Sequence, residues 1–228
     1  MNVTHIQSPY QGNRLHFLQE HCSIEHRLIK RGFDVGFSSL VLLIGAPFLL
    51  LLCLLVKCTS PGPIFYGSIR VGRGGKLIKC WKIRSMFQDA DKRIKQLLAA
   101  DPVIREEWTQ YRKLKKDPRI TPLGKFLRKT SLDEFPQFWN VLKGDMSVVG
   151  PRPFLLEELR QRIPESNMVI FCMRPGLTGL WQTSGRSLLS FEERISLEKQ
   201  YVETYSFLHD LLLIAKTIPM VLFPRGAF

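Results

Sequence analysis

The sequence predicts a helix-rich α+β fold in which a re-entrant membrane helix-hairpin precedes a body of interfacial amphipathic helices and a small β element. Three observations carry that prediction. From Val35 to Val56 the chain runs 22 residues without a charge, fifteen of them Val, Ile, Leu or Phe. Pro47 interrupts that run near its middle. Beyond it the pattern changes to short strands and helices, with 19 basic against 6 acidic residues between positions 57 and 129. A length of 228 residues supports one core with an added element. A 45% hydrophobic and 23% charged composition excludes wholesale disorder. The net charge of +13 belongs to residues 57–129, because the remainder holds 14 basic and 14 acidic residues. A field so localised points to a polyanionic partner: nucleic acid, anionic lipid or a phosphorylated substrate.

Residues 1–26 read as a polar, mobile leader carrying four of the five histidines. Five cysteines at scattered spacings, with no CxxC pair, read as reduced thiols rather than a disulfide framework. The apolar run within residues 27–58 is long for a buried soluble helix, and its large side chains favour bilayer insertion by about 4–9 kcal/mol. A straight helix over the run would be about 33 Å long, enough to cross. Two features argue for re-entry instead. Pro47 removes a backbone hydrogen bond and clashes with the preceding turn, leaving arms of about 18 and 15 Å. Basic flanks belong on the cytoplasmic side, yet Arg27, Lys30 and Arg31 precede the run and Lys57, Arg70, Arg73, Lys76, Lys79, Lys82 and Arg84 follow it. A hairpin with both ends cytoplasmic satisfies both.

The remainder, residues 59–228, reads as a cytoplasmic domain. Thr59 to Pro63 is a turn and linker, residues 64–66 and 77–83 are short strands, and Arg70 to Gly75 is the hairpin turn between them. Residues 89–116 are helical, interrupted at Asp101-Pro102. Leu123, Phe126 and Leu127 share one face of a basic amphipathic helix, a pattern suited to a membrane interface or to the protein core. Ser131-Leu132-Asp133-Glu134 has the form of a capping box opening a helix that ends at Gly144, with a start nearer Asp133 as the register that better accommodates Pro136. Either register puts two adjacent carboxylates at a helix N-terminus, where the dipole and the nearby Arg128 and Lys129 favour the ionised forms. Acids there can act as caps and nothing more. The neighbourhood suggests otherwise: Gly150-Pro151-Arg152-Pro153 and Arg174-Pro175-Gly176 are rigid loops that each fix an arginine, Gly185-Arg186 follows, and Lys82 and Arg84 lie beside a strand. Arginine suits bidentate phosphate binding, and a hard cation such as Mg²⁺ takes one or two carboxylates plus substrate phosphates.

At this point the residues resemble a known family. Lys30-Arg31-Gly32-Phe33-Asp34, the Pro-broken apolar run, Trp81 to Met86, residues 131–153 and residues 174–187 closely resemble the bacterial sugar transferases, the monotopic phosphoglycosyl transferases. The resemblance implies an enzyme on the cytoplasmic face of the bacterial inner membrane. It would transfer a sugar-1-phosphate from a UDP-sugar to polyprenyl (undecaprenyl) phosphate, giving a polyprenyl-diphosphate-sugar and UMP. It implies Asp133 as the nucleophile that forms a covalent phosphosugar intermediate, Glu134 as a partner that helps hold Mg²⁺ or assists the acceptor, and Arg128 and Arg152 as phosphate ligands. The neighbourhood adds Lys82, Arg84, Arg174 and Arg186 to the substrate-binding set, and Asp133 and Glu134 are the expected metal ligands. Ala46-Pro47 stands where many relatives have Ser-Pro, so that proline alone must supply the kink. The Leu180-Trp181-Gln182-Thr183-Ser184 stretch is similar to the catalytic domains of longer hexose-1-phosphate transferases, which implies a hexose donor. Nucleic acid is not an expected partner, since no reader motif accompanies the basic segment. Membrane lipid is one, and homo-oligomerisation is left open. The competing class is a non-catalytic membrane-surface protein gripping anionic lipid. That class explains the charge but not an acidic pair between basic loops.

Overall fold

A computed structural model describes residues 24–111, 114, 116–185 and 189–222. The leader therefore lies outside the described residues except for its last three, which are already helical. Helix α1 (Ile24–Thr59) is a single element of 36 residues with Pro47 inside it. The expected division into two separate arms is thus not seen. Proline costs the helix one hydrogen bond, and packing on both sides of it keeps the element continuous. Gly45 lies directly against the Phe135 ring, where an added Cβ would fall 2.2 Å from a ring carbon. Before the proline, Lys30, Asp34 and Ser38 are buried; after it, Leu52, Cys53, Val56 and Ser60 are. The opposite face is left bare, with Leu43 76% and Ile44 70% exposed.

The strand pair and its turn follow the expectation, with one difference of consequence. β1 (Phe65–Val71) is longer than the sequence suggested and pairs antiparallel with β2 (Leu77–Ile83), in the register Phe65↔Ile83 to Val71↔Leu77. A short 3-10 turn at Arg73–Gly75 joins them, with Gly74 at φ 65 and Gly75 at φ 75. Helices α2 (Ala90–Ala100) and α3 (Pro102–Tyr111) meet at Asp101, whose carboxylate accepts from the Val103 amide at 2.8 Å. Helix α4 (Pro122–Lys129) starts under a Thr121 cap, with the Gly124 amide donating to Oγ1 at 2.9 Å. Its apolar residues divide: Leu127 is fully buried against Leu52, Val56 and Ile83, while Phe126 stays 50% exposed. Only Phe126 retains the outward placement that an interfacial helix requires.

The capping box at Ser131 does not form. Ser131 is left-handed at φ 57 and caps nothing; Leu132–Glu134 make a 3-10 turn, and α5 (Gln137–Lys143) begins after Pro136. A residue with left-handed φ lacks the extended geometry of an N-cap. Gly144, at φ 84, ends α5 as expected.

The two Pro-Gly loops find each other. β3 (Ser147–Val149) and β4 (Gly176–Thr178) pair in parallel, Ser147↔Gly176 and Val149↔Thr178, and the Gly176 amide donates to the Pro151 carbonyl at 2.8 Å. A Cβ on Gly176 would lie 2.1 Å from the Gly150 nitrogen, so glycine is what permits this approach. Helices α6 (Leu156–Gln161), α7 (Leu180–Thr183), α8 (Phe191–Glu203) and α9 (Phe207–Leu222) complete the body. Its principal core joins Ile78 and Cys80 of β2 to Val141, Met146, Val148, Tyr201 and Leu213.

Candidate active site

Asn140 is fully buried on α5 and fastens that helix to β2: its side-chain amide donates to the Lys79 carbonyl at 2.8 Å, and its carbonyl accepts from the Trp81 amide at 2.9 Å. The 3-10 turn that precedes α5 is thereby held against β2, and the acidic pair meets Lys82. Lys82 Nζ donates to Glu134 Oε1 at 2.6 Å and stands 3.8 Å from Asp133 Oδ2. One ammonium thus serves two neighbouring carboxylates.

The two acids are not equivalent. Asp133 is only 6% exposed, and burial first, then the charge of Glu134, push its carboxyl up to about 6 against the pull of Lys82 and Arg128. The expectation that cations and a helix dipole would dominate at Asp133 is therefore corrected, because desolvation outweighs them. Burial also acts to raise Glu134, but Lys82 and then Arg152 overcome it and hold its carboxyl at about 2. At neutral pH Glu134 is firmly anionic and Asp133 is mostly so.

The remaining expected residues separate into three groups. Arg128 donates from Nε to Ser85 Oγ at 2.8 Å, and its charge reaches Asp133. Arg152 is held by its backbone, whose amide donates at 3.0 Å to Oε1 of the fully buried Glu198; its guanidinium lies 5.2 Å from the Trp181 ring, and its charge reaches Glu134. These two and Lys82 surround the acids. Arg84 and Arg174 do not join them. Arg84 donates to the Ser60 and Pro61 carbonyls at 2.6 Å each, closing the end of α1. Arg174 donates to the Gly144 carbonyl at 2.8 Å, at the end of α5 away from the acids. Arg186 lies outside the described residues.

Sequence reasoning missed Arg70, Arg194, Glu198 and Asn140. Arg70 had been placed in the turn, but β1 continues to Val71. In an antiparallel pair, directly opposed residues share a face. The pairs Arg70↔Ile78 and Tyr66↔Lys82 therefore put Arg70 on the Lys82 side of the hairpin, and its charge acts on Glu134. Arg194 stacks on Phe154 at 4.1 Å and on Trp181 at 5.0 Å, and stands 3.5 Å from Glu158.

Among the described residues no group of three or more His, Cys, Asp or Glu side chains could hold a metal by itself. Asp133 and Glu134 do fit a hard divalent cation of the kind that completes its shell with substrate phosphate: they are adjacent oxygen donors, and one of them already binds a cation, Lys82.

The site thus sets a buried carboxylate among lysine and arginine, a combination able to bind phosphate, on a turn that meets α1 where Phe135 packs against Gly45. The chain belongs to the bacterial sugar transferase family, whose model matches residues 25–224, and it is a transferase by that membership. It is 45% identical over 203 residues to the undecaprenyl-phosphate galactose phosphotransferase of Salmonella typhimurium, covering 89% of this chain and 42% of that protein. To the exopolysaccharide production protein ExoY of Rhizobium meliloti it is 44% identical over 202 residues, covering 88% of each. The UDP-glucose:undecaprenyl-phosphate glucose-1-phosphate transferase of Escherichia coli is 39% identical, matched over 85% of this chain and 40% of its own length. The chain thus spans less than half of the Salmonella and Escherichia proteins and nearly nine-tenths of the Rhizobium one.

Proposed function

We propose that this chain transfers a sugar-1-phosphate from a UDP-hexose to undecaprenyl phosphate, giving undecaprenyl-diphosphate-sugar and UMP, as the initiating step of surface glycan synthesis. The observation that carries the proposal is the buried Asp133 carboxylate within reach of Lys82, with Arg128 and Arg152 around it. A relative of similar length is named for exopolysaccharide production, and two longer ones for transfer to undecaprenyl phosphate.

In the first half-reaction an Asp133 oxygen attacks the sugar-bearing phosphorus. A bond forms from that oxygen to phosphorus, the bond to the bridging oxygen breaks, and UMP leaves with the electron pair. In the second, an oxygen of undecaprenyl phosphate attacks the same phosphorus and the carboxylate is regenerated. Splitting the transfer in two makes each displacement a simple one. Attack of an anion on a dianionic diphosphate is electrostatically opposed, and Lys82, Arg128 and Arg152 offset that repulsion. Burial limits hydration of Asp133 and keeps competing water away from the intermediate. Mg²⁺, held by Glu134 with Asp133, would supply further neutralisation of diphosphate charge.

The proposed setting of this chemistry is the lipid boundary on the cytoplasmic face of the inner membrane, with α1 following a re-entrant path, and two observations support it. Its most apolar 18-residue window has a mean hydropathy of 2.9 and is 11% buried, unlike the core helix of a soluble protein. Both of its halves pack on the same body: Asp34 accepts from the Val148 amide at 2.9 Å, while Leu52 and Val56 meet Ile83 and Leu127. A crossing would carry those halves toward opposite sides of about 30 Å of hydrocarbon. Thiols introduced near positions 10 and 70 should be labelled from the same, cytoplasmic, side; labelling from opposite sides overturns the re-entrant path. Turnover is tested with purified protein, Mg²⁺, undecaprenyl phosphate and a panel of UDP-sugars, where UMP release is expected with at least one hexose.

A further inference from the structure

The arginines of the catalytic body differ in what occupies them. Arg31 donates to the Val141 and Leu142 carbonyls, Arg84 to those of Ser60 and Pro61, Arg119 to Asp117 through two bonds, and Arg194 is paired with Glu158. Each has an anion or a carbonyl of its own. Among the arginines whose charge reaches the acidic pair, Arg70, Arg128 and Arg152 have no such partner among the described residues, and Arg70 and Arg152 are the two that act on Glu134 most directly. The Arg70 side chain makes one hydrogen bond, from Nε to Ser68 Oγ at 3.1 Å, which leaves its two terminal nitrogens uncommitted. The Arg152 guanidinium rests over Trp181 and makes no ion pair within bonding distance. The fold nevertheless keeps the two together: the Val71 amide donates to the Phe154 carbonyl at 2.8 Å, tying the residue after Arg70 to the loop that carries Arg152.

Two like charges held side by side repel unless an anion comes between them. We propose that Arg70 is a substrate-binding residue, and that Arg70 and Arg152 together form a two-guanidinium clamp for the diphosphate of the nucleotide-sugar donor. This rests on the phosphotransfer reading above and names the part of the site that grips the donor rather than the acceptor. Guanidinium forks match phosphate oxygens bidentately, and a diphosphate offers oxygens on two adjacent phosphorus atoms. Arg70 shares the hairpin face of Lys82, which stands 2.6 Å from Glu134 and 3.8 Å from Asp133, so a diphosphate in the clamp sits on the side of the site that carries the nucleophile. The rest of the neighbourhood holds the clamp open. Ser68 fixes the Arg70 stem, Glu198 fixes the Arg152 backbone, and Trp181 lies beneath the Arg152 guanidinium. The repulsion is felt at Arg70 itself, whose guanidinium lies below its ordinary range because of burial first and Arg152 second.

The test is titration of the full chain in detergent with UDP and with UMP, beside steady-state kinetics on whichever UDP-hexose the wild type uses. Arg70→Ala is expected to weaken UDP binding and raise the donor KM by about tenfold or more, the size of a lost charged hydrogen-bond pair, while the undecaprenyl-phosphate KM stays within about twofold. UMP, with one phosphate, should lose less than UDP. Arg70→Lys, which keeps the charge but not the fork, should recover part of the loss. A wild-type UDP affinity and donor KM in Arg70→Ala overturn the clamp, as does equal weakening of donor and acceptor. Should Arg70→Ala prove unstable, an Arg70→Lys variant of wild-type thermal stability that keeps wild-type UDP affinity and donor KM overturns it too. A wild-type chain that neither binds UDP nor releases UMP overturns the phosphotransfer reading instead.

Discussion

Two clusters in this protein each place one lysine between two acids, and they do opposite things. In the first, Lys30 of α1 donates to Asp210 of α9 at 2.5 Å, Tyr201 donates to the other Asp210 oxygen at 2.7 Å, and Asp34 accepts from Ser147 Oγ at 3.0 Å and the Val148 amide at 2.9 Å. Lys30 is 8% exposed and both aspartates 1%. In the second, Lys82 has only Asp133 and Glu134, and the side chains of Lys82 and Glu134 remain 26% and 29% exposed. The first cluster is closed by partners from three other elements and fastens the apolar helix to the body. The second is open on one side, where uncommitted cations wait. Composition does not separate a staple from a reactive centre; the partners supplied by the rest of the fold do.

Substitutions should divide along that line. Asp133→Asn in the open cluster should lower turnover by at least about 10³-fold, since the neighbouring Glu134 carboxylate is engaged by Lys82 and does not take over the attack, and should leave membrane association and thermal stability intact. Retained turnover in purified Asp133→Asn would remove the nucleophile from the scheme. Asp210→Asn in the closed cluster should do the reverse. It strands Lys30 in the interior at a cost of about 3–5 kcal/mol, read as a lower midpoint in denaturant, while kcat per folded molecule changes less than about threefold. If Asp210→Asn instead lowers kcat at unchanged stability, the staple reading is wrong.

Lys82 offers a sharper probe, because it acts on both acids. Lys82→Ala should lower kcat/KM by about 10²-fold through lost charge neutralisation. It should also move the pH profile in a definite direction. Asp133 must be ionised to attack, and its carboxyl stands at about 6, so wild-type activity should fall below that pH. Lys82 pulls the value down; without it the acidic limb should shift upward. Stability carries the opposite sign. A carboxyl raised from 3.8 to about 6 favours the folded state at low pH, so its contribution, roughly 3 kcal/mol, is lost as pH rises between those values. Denaturant midpoints of wild type and Asp133→Asn across that window should converge as the pH falls. A wild-type profile flat from pH 5 to 8 would contradict the burial of Asp133.

Much of this was legible in the chain, and the misses have physical reasons. The apolar run, the helix break at Asp101-Pro102, the stop at Gly144 and the acidic pair follow from local chemistry that tertiary structure leaves in place. Lys82 and Arg84 were both expected at the site because both lie beside a strand. The strand ends at Ile83, however, and Arg84 turns to the carbonyls at the end of α1. Arg70 was hidden by the converse error, a strand that runs further than its composition suggests. The raised carboxyl of Asp133 depends on desolvation by residues distant in sequence, which no local pattern encodes. Glu198 and Asn140 are polar residues on ordinary helices, and only their complete burial marks them.

Ser131 gives the smallest effect and a test of how rigidly the open cluster is held. Its left-handed φ of 57 immediately precedes the turn bearing Asp133 and Glu134, and the Glu134 amide donates back to the Ser131 carbonyl at 3.1 Å. For a residue with a Cβ that conformation costs roughly 1–2 kcal/mol, which glycine avoids. Glycine also adds freedom to the unfolded chain, offsetting about 0.4–1 kcal/mol of the gain. Ser131→Gly should therefore stabilise the protein by roughly 0–1.6 kcal/mol, seen as a slightly higher denaturation midpoint. If the turn is held by its contacts with β2, kcat should stay within about twofold of wild type. If the restricted backbone of Ser131 is what aims Asp133, stability will rise while kcat falls. The closed cluster has no counterpart to this outcome, because four hydrogen bonds and not one backbone angle orient its acids.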